Sequence, residues 1–141
     1  MELEQKAKAS TIEKLQAIRD ALLRLHRVLI NHQRELWERT NGRIENSYEF
    51  LTLVMHHQDF AWLHHLSELV VQIDEFLEPD TEPLKDDAQN LLEQARFLMV
   101  PAAVGDSFQQ NYFEALQNSP AVILAHSVVV KLLGNRASEV H

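Results

Sequence analysis

Apolar residues recur at helical spacing along most of the chain. The clearest run alternates spacings of three and four residues, and it predicts a helix from about Thr11 to Arg39. Ser10 and Glu13 form a capping box at its start, and Asn41-Gly42 is a stop signal at its end. The seam of this helix is predicted to contain Leu15, Ile18, Leu22, Leu25, Leu29, His32 and Leu36.

A second predicted helix begins after the capping box Asn46–Glu49. Its apolar residues continue as far as Leu77, and Pro79 prevents further extension. The polar triplet His57-Gln58-Asp59 interrupts the apolar pattern. We therefore expect a kink or a break in this helix at that triplet.

Two further helices are predicted in the second half of the chain. The third runs from about Pro83 to Met99, because proline is tolerated in the first turn of a helix. The fourth begins at Asp106 and ends at Gly134, and it is interrupted at Asn118-Ser119-Pro120. The four segments predict an all-α fold, namely an up-down four-helix bundle with kinked second and fourth helices.

Chain length and composition limit the class of protein. A length of 141 residues suits one domain, so we expect a single domain over residues 1–141 with frayed ends at 1–9 and 135–141. The absence of cysteine excludes disulfides, thiolate metal sites and cysteine nucleophiles. The N-terminal segment is polar, and no apolar run approaches the roughly 20 residues that span a bilayer. We therefore expect a cytoplasmic protein with no membrane partner.

Charge is unevenly distributed along the chain. The formal net charge is -8, which disfavours nucleic acid as a partner because phosphate binding needs clustered cations. Nine of the 13 basic residues lie between Lys6 and Arg43, whereas the stretch from Ile44 to Leu84 contains nine acids and no Lys or Arg. This contrast favours two neighbouring elements with complementary solvated faces, and a docking surface is the alternative.

The predicted second helix is apolar over an arc of about 200°, which is wider than the roughly 100° stripe of a simple surface helix. The first predicted helix is also much longer than the third, so part of its apolar surface lacks a neighbour. Both features favour a homodimer. The flank of the second helix supplies the predicted interface residues, which are Trp62, Leu69 and Phe76.

Four polar residues interrupt apolar helix faces and are candidates for a binding site. Asp74 and Ser67 fall inside the apolar arc of the second helix, while His126 and His26 lie on the stripes of the fourth and first helices. In an up-down arrangement Asp74 and His126 reach the same end of the bundle, and His26 lies farther away. The pair is interpreted either as a functional dyad or, preferably, as a buried structural hydrogen bond.

The histidine-rich stretch in the second helix allows a weaker metal hypothesis. His64 and Glu68 are four residues apart on one helix face and would supply half of a metal site. The Glu-x-x-His pairs of di-iron carboxylate bundles are absent from the sequence. No cofactor is therefore expected, with a divalent metal ion as the alternative. The aromatic residues, Tyr112 among them, are assigned to the core or an interface rather than to a ligand pocket.

Part of the sequence resembles small bacterial proteins of unassigned function. The resemblance lies in Phe60-Ala61-Trp62-Leu63, in Leu66-Ser67-Glu68-Leu69-Val70 and in Ile73-Asp74-Glu75. It also includes Tyr112, Leu116-Gln117, Pro120 and Ala125-His126. What the resemblance implies is a helical-bundle fold, with no activity and no functional residues attached.

No complete set of nucleophile, base and oxyanion donors can be named in the sequence, which favours a non-enzymatic function. The sequence therefore predicts a helical-bundle protein that acts through protein–protein interaction or self-association. The alternative is a bundle that binds a metal or a small ligand through core histidine and aspartate residues.

Overall fold

The computed structural model describes residues 5–80 and 82–134. Within these ranges it contains six α-helices, one 3-10 helix and no β-strand, which confirms the all-α class. The α-helices are α1 (Ala9–Asn41), α2 (Ser47–His56), α3 (His64–Phe76), α4 (Lys85–Leu98), α5 (Ser107–Asn118) and α6 (Pro120–Leu133). The 3-10 helix, Gln58–Leu63, joins α2 to α3.

The predicted four-helix bundle with kinked second and fourth helices is not confirmed, because each expected kink is a complete break. At the first break His57 is extended, with φ −84° and ψ 135°, and its Nδ1 accepts a hydrogen bond from the Asp59 amide. At the second break Ser119 is extended, because Pro120 disfavours helical geometry in the residue before it. The Ser119 side chain then caps α6 by accepting from the Val122 amide.

The long helix α1 is the element around which the others pack. Its buried residues lie on one stripe that contacts α6 most extensively and α3 next. Two contacts show that α3 runs antiparallel to α1: Trp62 Nε1, just before α3, donates to Gln33 Oε1 at 3.0 Å, and Arg19 Nε pairs with Asp74 Oδ1 at 2.7 Å. The stripe consists of Leu15, Ile18, Ala21, Leu22, Leu25 and Leu29.

The C-terminal end of α6 is fixed against α1 and α4. Lys14 Nζ and an Arg96 guanidinium nitrogen each donate to the Leu133 carbonyl oxygen at 3.0 Å. Cations are favourable at this end of a helix because the terminal carbonyls concentrate negative partial charge. Since Lys14 lies near the start of α1, the contact also shows that α6 runs antiparallel to α1.

Residues just before α1 are paired with the segment before α4. The Ala7 amide donates to the Pro83 carbonyl, and the Lys85 amide donates to the Gln5 carbonyl. Residues 5–9, where the sequence predicts fraying, therefore include backbone hydrogen bonds to the segment before α4. Residues 1–4 and 135–141, where fraying was also expected, lie outside the described residues.

Helix length and composition also bear on membrane insertion. Among the described residues, no single helix is both long and apolar enough to cross a membrane. α5 and α6 reach both criteria only when they are counted together, and they are bent by 117° at the break between them.

The capping box at the start of α5 gives a stability prediction. Asp106 accepts from the Gln109 amide at 2.8 Å, and the Gln109 side chain accepts from the Asp106 amide at 3.1 Å. Asp106→Ala is expected to lower the free energy of unfolding by about 1 kcal/mol, because it leaves the Gln109 amide in the first turn without its partner. Glu114→Ala removes the same charge from an exposed position of α5 and should change it by a few tenths of that amount. Urea denaturation measures both, and equal effects would contradict the capping role.

Candidate functional site

The rotation of α3 about its axis differs from the sequence-based expectation. Its buried residues are Leu66, Leu69, Val70 and Ile73, whose mean direction lies about 50° from Val70 towards the Leu69 flank. This rotation turns the predicted interface flank into the protein's own core. It also carries Asp74 to the edge of the buried arc.

Asp74 is therefore neither buried nor paired with His126. Its side chain is 47% exposed, and its Oδ1 forms an ion pair with Arg19 Nε at 2.7 Å. The expectation that Asp74 lies inside the apolar core beside His126 is wrong, because the described residues contain no buried charged side chain. Ser67 lies at an intermediate position and donates to the His64 carbonyl of its own helix.

The predicted interface through Trp62, Leu69 and Phe76 is also wrong. Trp62 and Leu69 are buried in the core of the chain itself, and Phe76 is partly buried against the same core. Trp62 is held there by its hydrogen bond to Gln33 and by the ring of Phe108, with the ring centroids 5.7 Å apart. These three side chains therefore pack against the core of their own chain and do not need a second copy to cover them.

His126 pairs with Tyr112 across the α5–α6 turn. The Tyr112 hydroxyl lies 2.5 Å from His126 Nδ1 and 3.6 Å from Met99 Sδ. Burial raises the pKa of Tyr112 above its ordinary value and lowers the pKa of His126. Both shifts favour the neutral pair, in which the hydroxyl donates and Nδ1 accepts, so the pair links α5 to α6. The sequence does not reveal this role of Tyr112, because no spacing rule relates residues on the two sides of a 117° bend.

His26 and His64 approach each other between α1 and α3. The pKa of His26 is lowered first by burial and second by the positive charge that His64 can carry. His64 Nε2 is hydrogen-bonded to the Val54 carbonyl oxygen at 3.2 Å. Within residues 5–80 and 82–134 there is no cluster of three or more His, Asp or Glu side chains that could hold a metal. The half-site suggested for His64 and Glu68 thus gains no third ligand from the described part of the chain.

The outer side of α6 is an exposed apolar surface. Val122, Ala125, Val129 and Leu133 face the core, whereas Ile123, Leu124, Val128 and Val130 are 49%, 68%, 46% and 44% exposed. Lys131 is the single Asp, Glu, Lys or Arg in this helix. A large exposed apolar patch of this kind is typical of an interaction site. The uncharged run from Ala115 to Val130 is the sequence signal that could have revealed it.

A second exposed apolar surface lies on α2. None of the ten residues of α2 is buried, although six of them are apolar or aromatic. Tyr48, Leu51 and Met55 are the most exposed of these, and they share one side of the helix. The structure therefore offers two apolar surfaces, on α2 and on α6.

A groove with an acidic lining runs between α3 and α4. It consists of two adjoining depressions of about 370 Å³ and 350 Å³ that share Gln72 and Gln94. Glu68 and His65 line one depression, and Glu75 lines the other. The acidic segment is visible in the sequence, but the groove is not, because it depends on the distance between α3 and α4.

Comparison of the chain with protein-family models, with curated proteins and with solved structures found no match.

The exposed ion pair between Asp74 and Arg19 gives a stability prediction. Asp74→Ala should lower the free energy of unfolding by about 1 kcal/mol or less, because solvent screens an exposed pair. Glu75→Ala, an exposed neighbour on the same helix, is the matched control. A loss of about 3 kcal/mol or more in urea denaturation, as expected for a broken buried pair, would contradict this assignment.

The lowered pKa values of His26 and His126 predict a pH dependence of stability. Below their ordinary pKa of 6.5, the unfolded chain binds more protons than the folded chain. The contribution to stability is thus complete above about pH 6.5 and decreases as the pH falls towards the lowered values. Urea denaturation between about pH 7.5 and 5.5 should show this decrease, with a shallower slope in His126→Gln and in His26→Gln. A slope that neither variant changes would contradict the assignment.

Proposed function

We propose that this protein acts through self-association, as a non-enzymatic homodimer whose two copies pack α6 against α6. The observation that carries the proposal is the exposed apolar side of α6, with Ile123, Leu124, Val128 and Val130 all more than two fifths exposed. Burying such side chains against a second copy is favourable by about 25 cal/mol for each Å² removed from water. This surface replaces the interface predicted from Trp62, Leu69 and Phe76, because those side chains pack against the core of their own chain.

The charge distribution supports a second copy as the partner. Each copy has a formal net charge of -8, so two copies repel each other over much of their surfaces. The run from Ala115 to Val130 contains no Asp, Glu, Lys or Arg. Two copies that meet through α6 therefore bring few like charges together.

The spacing of side chains on α6 supports helix pairing. Ala121, Leu124, Val128 and Lys131 are separated by three, four and three residues, which is the spacing of a coiled-coil seam. Ser127 lies beside this seam, and its small side chain permits close approach of two helices. A twofold axis places the same patch on both sides of the interface, as in most homodimers.

In this proposal α1, α3, α4 and α6 act as a four-helix bundle to which α2 and α5 are added. The support for this view is the packing of α1 against α6 and α3, together with that of α4 against α3, α6 and α1. The inner residues of α6 are then held by the bundle, while its outer residues face the second copy.

Light scattering after size-exclusion chromatography tests the proposal. The wild-type protein should elute as a dimer, and Leu124→Glu combined with Val128→Glu should weaken the dimer by at least about 100-fold. The reason is that each copy loses apolar burial and brings two carboxylates to the interface.

The matched control is Leu51→Glu combined with Met55→Glu on α2, which changes the same charge on exposed apolar residues. This variant should remain dimeric. A wild-type monomer at high concentration, or equal dissociation of both double variants, would contradict pairing through α6.

A further inference from the structure

The groove between α3 and α4 is long enough to hold a helical segment. The two helices run antiparallel, and the adjoining depressions follow them from His65 and Phe97 at one end to Glu82 and Asp87 at the other. Their volumes are about 370 Å³ and 350 Å³. None of the lining residues belongs to α6, so the groove is separate from the proposed dimer surface.

The lining of the groove is acidic. It contains five carboxylates and no Lys or Arg, and the carboxylates are Glu68, Glu75, Glu82, Asp87 and Glu93. Glu82 pairs with Lys6 at 3.4 Å, and Glu93 pairs with Arg96 at 3.5 Å. Glu68, Glu75 and Asp87 have no ion-pair partner within the described ranges. The groove therefore presents negative charge that a cationic partner can neutralise.

Apolar side chains form the floor and one edge of the groove. Leu69 and Leu91 are buried at the floor, and Phe76 and Leu98 are partly buried beside them. Phe97 stands at the edge with 60% of its surface exposed. An exposed aromatic side chain beside an apolar groove offers a large apolar area that a bound amphipathic helix can cover. The groove thus combines an apolar floor with an acidic rim.

We propose that this groove binds a partner protein through an amphipathic helix with an apolar stripe and flanking Lys or Arg residues. Charge complementarity identifies this chemistry, because the unpaired carboxylates lie beside apolar floor residues. Glu68 and Glu75 are seven residues apart and therefore about 10 Å apart along α3. Lys or Arg residues seven apart on a partner helix have the same separation, so two ion pairs can form at once.

A synthetic peptide tests the proposal. The probe is a fluorescein-labelled helical peptide of about 14 residues, the length of α4, with Leu on one face and Lys on the other. Its anisotropy is measured against the wild-type protein and against Glu68→Lys combined with Glu75→Lys. The double variant should bind at least about tenfold more weakly, since two attractive contacts become repulsive. A peptide with Glu in place of Lys should not bind the wild type.

The matched control is Glu13→Lys combined with Glu35→Lys on α1, which makes the same change in net charge at exposed positions outside the groove. This variant should bind the Lys peptide as tightly as the wild type does. Absence of wild-type binding, or equal weakening in both double variants, overturns the proposal.

Two further variants keep the result interpretable. Phe97→Ser removes the exposed aromatic side chain without a change of charge, and it should also weaken peptide binding. It replaces the Glu68→Lys and Glu75→Lys variant as the test if circular dichroism shows that the double variant does not fold. The α6 variant, Leu124→Glu with Val128→Glu, should bind the peptide normally, so failure of the dimer and failure of the groove are distinguishable. Dissociation of the dimer by the groove variant alone would identify a second copy as the occupant and overturn the proposal.

Discussion

The rotation of α3 about its own axis determines which side chains of this protein are core and which are surface. Two contacts with α1 fix that rotation. The hydrogen bond from Trp62 to Gln33 lies just before α3 begins, and the ion pair between Arg19 and Asp74 lies near the end of α3. The first is part-buried and directional, while the second is half exposed and contributes mainly to register. With α3 fixed in this way, Leu69 enters the core and Glu68 faces the groove.

The helices of the fold could be predicted from the sequence, because their signals are local. The approximate extents of α1 and α4 and the break at Ser119 follow from periodicity and proline, although α1 begins at Ala9 without the capping box predicted from Ser10 and Glu13. The expected kinks are complete breaks in the structure. A helical wheel carried through residues 57–63 assumes an α-helical geometry that the 3-10 helix does not have. The error about Asp74 arises within α3 itself, where Val71 is 53% exposed and does not extend the buried arc towards Asp74. A shift in rotation of about 50° is enough to move a residue from the middle of an apolar arc to its edge.

The candidate surfaces were predictable only in part. The uncharged run that ends at Val130 is visible in the sequence, but its inner and outer sides are distinguished only when α1 is in place. The acidic segment was likewise visible, whereas the groove depends on the spacing between α3 and α4, which the sequence pattern does not specify. The pairing of Tyr112 with His126 required a sharp turn whose angle the sequence does not specify.

The separation of α6 from the α3–α4 groove has a consequence for binding strength. Two copies joined through α6 would leave both grooves open, one on each copy and related by the twofold axis. Such an assembly is bivalent, and a partner that carries two basic helices would gain effective concentration for the second contact once the first has formed. Weak individual sites could then give a long-lived complex, provided that the partner's spacer spans the distance between them.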